Sequence, residues 1–233
     1  MIPAGVVLRV IGDVHGDMRG FAHAVATEHF IVQLGDLVDY GPDSAGVLRA
    51  MFDLIDAGRG IFLLGNHDHK LARLLAGRDV SISDDLRDTL AQLDDTLRAR
   101  AMAEISRAPV WLRAGASFFV HGGFHTAMLR EDPPDGRSRI DGLLARALFG
   151  QPTGRTQPDG FPERSLAWID RIPAGLTVYC GHDRRSTDGR PARFVNKDGG
   201  AAMFLDTGAG KGGHLSWIDL PPWHAAPSHG TLG

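Results

Sequence analysis

Asp13 and His15 in "GDVHG", Asp36 in "GDLVDYG", Asn66 in "GNHDH", His121 in "HGG" and His182 in "GH" are the side chains best suited to hold metal, and each stands beside a glycine. Glycine permits tight turns and lets backbone approach an ion closely. Carboxylate, amide and imidazole donors with no thiolate cluster exclude a structural zinc site and are too nitrogen-rich for a calcium loop. The mixture suits manganese, iron or zinc. Six ligands are too many for one catalytic ion with open positions, but they suit two ions bridged by a carboxylate. Two ions roughly 3.5–4 Å apart can clamp the attacking and leaving oxygens of an in-line phosphoryl displacement, so the pattern predicts phosphoester hydrolysis. A lone GD or HGG is usually a turn, and a lone buried histidine is usually a core residue; only the five clusters together carry the signal.

Positioning these residues requires strands. The runs "VVLRVI" (6–11), "FIVQL" (30–34), "IFLL" (61–64), "SFFV" (117–120), "LTVYC" (176–180), "AMFL" (202–205) and "LSWIDL" (215–220) each predict a buried or half-buried strand. The first five lead directly into the ligand clusters, and in open α/β sheets the carboxyl ends of strands line one crevice. Val47, Leu48, Met51, Leu54 and Ile55, behind the N-cap residues Asp43 and Ser44, predict a helix between two of the strands. Leu86, Leu90, Leu93 and Leu97 predict one buried helical face within residues 84–107. The closely spaced strands and glycine-rich turns of the C-terminal third predict antiparallel pairing beside the α/β half. Residues 131–137 and 150–162 read as proline- and glycine-rich loops. Residues 1–220 then form a single domain, and 221–233 a flexible tail. "GAGKGG" (208–213) satisfies G-x-G-x-x-G, yet it precedes a strand instead of opening a helix and reads as a hairpin or loop.

Composition narrows the class. The 233 residues, 43% hydrophobic and 23% charged, can bury a real core, and the net charge of −3 with no basic stripe argues against an extended nucleic-acid surface. The single cysteine, Cys180, lies in an apolar run and reads as a reduced core residue. No stretch has the roughly 20 apolar residues that span a bilayer, and the N-terminal run is too short for a signal segment, so a cytoplasmic domain away from membranes is expected. His23, His29, His125, His214, His224 and His229 fit no motif and read as surface or packing residues, while His69 reads as a solvent-facing helix residue or a substrate contact.

The ordered series "GDVHG", "GDLVDYG", "GNHD", "HGG" and "GH" resembles the calcineurin-like metallophosphoesterase superfamily, in its phosphoprotein-phosphatase branch. The resemblance is greatest to bacterial polynucleotide phosphatase domains and diadenosine tetraphosphatases. Further similar stretches, "GPDSAGVLRAM", "DGFPERSLAWID" and "FLDTGAGKGGHLSWIDLP", extend it over nearly the whole chain. It implies an α/β sandwich of two mixed sheets flanked by helices. It implies that Asp13 and His15 hold a first divalent ion, most simply manganese, that Asp36 bridges, and that Asn66, His121 and His182 hold a second. It also implies a metal-bridging hydroxide as nucleophile, His67 as general acid oriented by Asp39, and Asp206 as an outer carboxylate near the site.

Tyr40 departs from the pattern, for the family carries an arginine there to grip substrate phosphate, and tyrosine offers only one neutral hydroxyl. Arg164 is the first candidate to replace it, with Arg155 and Arg184 behind. "GHDRR" (181–185) is a second departure and adds two cations near the expected site. The implied substrates are a phosphorylated small molecule, a nucleotide or a phosphoprotein. A serine/threonine-phosphatase-like activity is the leading expectation, with dinucleoside polyphosphate or RNA-end hydrolysis as alternatives. A metal-binding regulatory protein with weakened catalysis is the alternative from outside the enzymes.

Overall fold

In the computed structural model, which describes residues 2–157, 160 and 162–224, the apolar runs become strands and the periodic segments between them become helices. In chain order these are β1 (Leu8–Ile11), α1 (Met18–Val25), β2 (Phe30–Gln33), α2 (Ser44–Asp56), β3 (Gly60–Phe62), α3 (Asn66–Leu75), α4 (Asp84–Gln92), α5 (Asp95–Arg107), β4 (Trp111–Ala114) and β5 (Ser117–Val120). They are followed by α6 (Gly142–Phe149), β6 (Pro152–Thr156), β7 (Pro162–Arg164), β8 (Thr177–Cys180), β9 (Ala192–Val195), β10 (Ala201–Phe204), β11 (Asp206–Thr207), β12 (His214–Leu215) and β13 (Trp217–Leu220).

Two mixed sheets result. The first runs β13-β1-β2-β3, with β1, β2 and β3 parallel and β13 antiparallel at its edge. The second runs β4-β5-β8-β10-β9, parallel at its centre and antiparallel at both edges. Strand alternation sorts the core into layers. Leu8, Val10, Phe30 and Val32 of the first sheet meet Phe119 and Tyr179 of the second in one cluster between the sheets. Ile31, Phe118, Val120, Val178 and Cys180 point the other way, into the core shared with the helices. The architecture is therefore the expected sandwich of two mixed sheets flanked by helices.

Two expectations are corrected. Residues 84–107 form two helices, because Leu93 leaves helical geometry at φ −92° and ψ 120° and Asp94 caps the next helix, its side chain accepting from Leu97 N. The apolar spacing continues through the break because both helices pack on the same core. Residues 150–162 are not all loop, since β6 and β7 form an exposed antiparallel ribbon. Within the segment expected to be a tail, Trp223 Nε1 donates to Pro3 O at 2.8 Å and Gly5 N to Trp223 O at 2.9 Å. The rest of that segment, 225–233, lies outside the described residues. Among the described residues no helix is long and apolar enough to cross a membrane.

The edge strand is clamped to β1 by a cross-strand pair. Arg9 stands opposite Asp219 and donates to both its oxygens at 2.7 and 2.8 Å, holding the Asp219 carboxyl below its usual range. A carboxyl depressed by folding stabilises above its unfolded pKa, near 4, and loses that contribution as pH falls through its folded value. Asp219→Asn is therefore expected to cost about 1 kcal/mol at pH 7 and low salt, roughly 2–4 °C in Tm. Scanning calorimetry should show the difference shrinking as pH falls below about 4 and as salt rises.

Candidate active site

The site lies where the strands of both sheets end. β1 leads to Asp13 and His15, β2 to Asp36 and Asp39, β3 to Asn66 and His67, β5 to His121 and β8 to His182. Backbone hydrogen bonds tie these loops together. Val14 N and His15 N both donate to Asp36 O at 3.0 Å, Gly181 N donates to His121 O at 2.9 Å, and His182 N donates to the Asp13 carboxylate at 3.0 and 3.1 Å. At Gly181 a β-carbon would stand 2.0 Å from Asp13 Oδ1, so this approach admits no side chain.

Asp36 is the centre. Its Oδ1 accepts from His67 N at 2.9 Å, while its Oδ2 stands 3.6 Å from His15 Nε2 and 3.4 Å from His121 Nε2. His15 donates through Nδ1 to Val38 O, and His121 through Nδ1 to Leu34 O, each at 2.9 Å. Each ring held that way, when neutral, presents a lone pair at Nε2. Those lone pairs face oxygens: Asp13 Oδ2 lies 3.8 Å from His15 Nε2, and Asn66 Oδ1 lies 3.1 Å from His121 Nε2. His15 Nε2 and His182 Nε2 are buried with no hydrogen-bond partner. Carboxylate and amide oxygens gathered around imidazole nitrogens, two of them orphaned, are a donor set that fits cations.

Two groups have the necessary spacing, with ligand atoms within 4.8 Å of one another: Asp36 with His121 and His182, and Asp36 with His15 and His67. His67 differs from the other histidines because its Nδ1 donates to Asp39 Oδ2 at 2.6 Å, leaving Nε2 as the ring nitrogen able to meet a substrate.

Electrostatics follow the burial. Burial, with Asp206 adding to it, pushes the Asp13 carboxyl well above its usual value. Burial acts the same way on Asp36, but His121 and His67 outweigh it and hold that carboxyl well below. Burial brings His15 down to about 3 and His182 well below its usual value. For His121, burial is overcome by Asp36 and the ring is pushed up to about 9. His67 is likewise raised, since Asp36 and Asp39 together outweigh its burial.

The local backbone is strained to make this arrangement. His15, Asp36, Asp39, Tyr40 and His182 have φ between 46° and 73°, and among the described residues they are the only non-glycine residues with positive φ. Such conformations cost about 1–3 kcal/mol each and persist only where surrounding structure imposes them.

The structure thus gathers Asp13, His15, Asp36, Asn66, His121 and His182, with the His67–Asp39 pair beside them. The arginines fare differently. Arg164 lies near enough for its charge to act on His182, although its Nε donates to Phe149 O at 2.7 Å. Arg155 is turned away into an exposed pair with Glu163 at 2.6 Å. Arg184 is exposed beside the Gly208 loop. Asp206 Oδ1 accepts from Gly208 N at 2.9 Å, and the outer partners of His15 and His121 are backbone carbonyls. His69 is buried instead of facing solvent.

Three contributors were not singled out from sequence. Asp68 accepts from Asp36 N and Leu37 N at 2.7 and 2.9 Å, fixing the loop that carries Asp36; its place in "GNHD" was the available signal. Thr89 of α4 donates to Asp39 Oδ1 at 2.8 Å, so both Asp39 oxygens are occupied. Nothing local to Thr89 announces this contact, 50 residues away in sequence. Lys211 places its ammonium 4.3 Å from the centre of the Tyr40 ring.

With this geometry in view, the comparisons with known proteins become decisive. The family model for calcineurin-like phosphoesterases matches residues 7–201. The chain belongs to the calcineurin-like phosphoesterase family. Among curated relatives it is 27% identical to the bis(5'-nucleosyl)-tetraphosphatase PrpE [asymmetrical] of Geobacillus thermodenitrificans, across 91% of this chain and 89% of that protein. Among solved structures it resembles a candidate diadenosine tetraphosphatase with a TM-score of 0.62 and 22% identity, over 97% of each chain. It also resembles a protein serine/threonine phosphatase from Saccharomyces cerevisiae with a TM-score of 0.58 and 14% identity, over 96% of this chain and 82% of that one. The two structural likenesses establish the fold. As a member of this family the protein is a phosphoesterase, a hydrolase.

The His67–Asp39 contact makes a direct prediction. Asp39→Asn removes the anion facing Nδ1 and is expected to lower the His67 pKa, since the carboxylate favours the imidazolium. An NMR titration of the His67 ring should show the drop; an unchanged value would assign the whole effect to Asp36.

Proposed function

We propose that this protein hydrolyses phosphate bonds with two divalent metal ions and with His67 as general acid, and that its substrate is a dinucleoside polyphosphate. The observation that carries the reaction type is the 2.6 Å His67–Asp39 pair set against the Asp36 carboxylate, whose second oxygen lies between two imidazole nitrogens. Asp13, His15 and Asp36 would hold one ion, and Asp36, Asn66, His121 and His182 the other. Bound there, two such ions, most simply manganese, supply Lewis-acid activation of water and neutralise charge on the phosphoryl oxygens.

The chain's own residues do the rest. His67 delivers a proton from Nε2 to the leaving oxygen, and Asp39 stabilises the imidazolium through Nδ1. Thr89 and the buried setting of Asp39 hold that carboxylate in one orientation. Strand ends and interloop hydrogen bonds position the ligands before substrate arrives, so little reorganisation is needed during reaction. The substrate class is supported by the tetraphosphatase relatives, which align over about nine-tenths of the chain. The serine/threonine-phosphatase-like reading has its support in fold likeness alone.

The test is a manganese-loaded panel of diadenosine tetraphosphate, a phosphoserine peptide, a nucleoside 2′- or 3′-phosphate and an aryl phosphate. Diadenosine tetraphosphate is expected to turn over fastest. Silence on all four with two ions bound would favour the regulatory protein. His67→Ala should lower kcat by about 10²–10⁴-fold on the phosphoserine ester, whose alkoxide leaving group needs a proton. The loss should be smaller on the tetraphosphate, whose leaving phosphate departs as a stable anion. Asn66→Ala should instead lower metal content, read by elemental analysis. Because His67 acts protonated with a raised pKa, kcat on the ester should fall as pH rises through that pKa.

A further inference from the structure

Tyr40 removes a cation from the place where the resemblance expects one, and the structure puts another cation over it. Lys211 Nζ stands 4.3 Å from the centroid of the Tyr40 ring, inside the range of a cation–π contact. The same ring lies 4.9 Å from His15 and 5.2 Å from His67, centroid to centroid, so the ammonium is held at the mouth of the site. Among the described residues no carboxylate lies within 4.0 Å of Lys211, so its ammonium is in no direct ion pair there. Its charge nevertheless acts on Asp13, His15 and His67, residues from two different loops.

The placement is built by the backbone. Residues 208–213 are seated on the His15 loop: Gly210 has φ +69°, and a β-carbon there would stand 2.2 Å from His15 O. The loop is closed on itself by Lys211 N and Gly213 N donating to Gly208 O at 3.1 and 2.9 Å, and tied down by Gly208 N donating to Asp206 Oδ1 at 2.9 Å. Tyr40 is itself held in a left-handed conformation at φ +63°. An exposed lysine on a free loop would sample many rotamers; here the loop is anchored and a ring stands under the ammonium.

We propose that Lys211, braced on the Tyr40 ring, is the residue that binds the substrate phosphate in this protein. Tyrosine alone donates one neutral hydroxyl, whereas an ammonium offers three charge-assisted donors to phosphoryl oxygens. Lysine is a compact point charge and does not impose the planar fork of arginine. The pair therefore accepts a phosphate within a chain, where two oxygens are bridging, as readily as a terminal one. This rests on the proposed hydrolase reading and deepens it, because internal phosphates are what distinguish a dinucleoside polyphosphate from a monoester.

The test measures inorganic phosphate binding to the metal-loaded full chain by calorimetry, with steady-state kinetics on diadenosine tetraphosphate alongside. Lys211→Ala and Lys211→Gln are expected to weaken phosphate binding by about 10- to 100-fold, the worth of a charge-assisted contact, and to raise KM more than they lower kcat. Metal content should not change. Lys211→Arg and Tyr40→Phe, which keep the cation and the ring, should keep inorganic phosphate affinity within a few-fold of the parent, while Tyr40→Ala should behave as Lys211→Ala does. Tyr40→Arg combined with Lys211→Ala should restore binding by supplying a cation from the other side. Phosphate affinity unchanged in both Lys211→Ala and Lys211→Gln overturns the proposal. A parent protein that binds phosphate through Lys211 yet hydrolyses no member of the panel would overturn the hydrolase reading and leave this one standing.

Discussion

A carboxylate buried against three histidines cannot exist without settling where its charge goes, and Asp36 is that carboxylate. One of its oxygens takes the His67 amide and the other stands between His15 and His121, while its carbonyl receives two amides from the 13–15 loop and its own amide is held by Asp68. These contacts join the loops that follow β1, β2, β3 and β5 through one residue. The low-dielectric surroundings make an unpaired charge there cost several kcal/mol, so partners are obligatory. The same convergence forces His15, Asp36, Asp39, Tyr40 and His182 into left-handed backbone. At about 1–3 kcal/mol each, that strain rivals the net stability of a typical domain, about 5–15 kcal/mol. The packed layer between the sheets, with Leu8, Val10, Phe119 and Tyr179 at its heart, must hold it.

Much of this was legible from residue order. Apolar runs of four to six residues ended in glycine-flanked ligands, and a strand end is the one place where such a residue is both rigidly supported and open to a crevice. The ligand loops were local signals. What sequence did not carry was non-local: Thr89 reaches Asp39 from a helix whose apolar stripe gives no hint of a polar contact, and the break at Leu93 leaves the stripe undisturbed because α4 and α5 share one core. The arginine assignments were the weakest because a long side chain's destination depends on competing acceptors. Arg155 found Glu163, and Arg164 found the Phe149 carbonyl. Lys211 was passed over in a glycine-rich loop whose role is visible only once that loop is seen seated on His15.

The two halves of the site are therefore built differently. The proposed ligands and the His67–Asp39 pair sit on strand ends under strain and tight packing, where substitution has little freedom. Lys211, proposed to meet substrate, lies on a glycine-rich loop, and the Tyr40 ring under it is 36% exposed.

The central claim is that Asp36 is shared by two ions. The most direct measurement is the number of manganese ions bound per chain, by native mass spectrometry with elemental analysis, in the parent protein and in Asp36→Asn. The account predicts two ions in the parent, with the variant folded and retaining at most one because both sites lose the same anionic ligand. A parent that saturates with one ion, or an Asp36→Asn variant that still binds two with undiminished affinity, would contradict it.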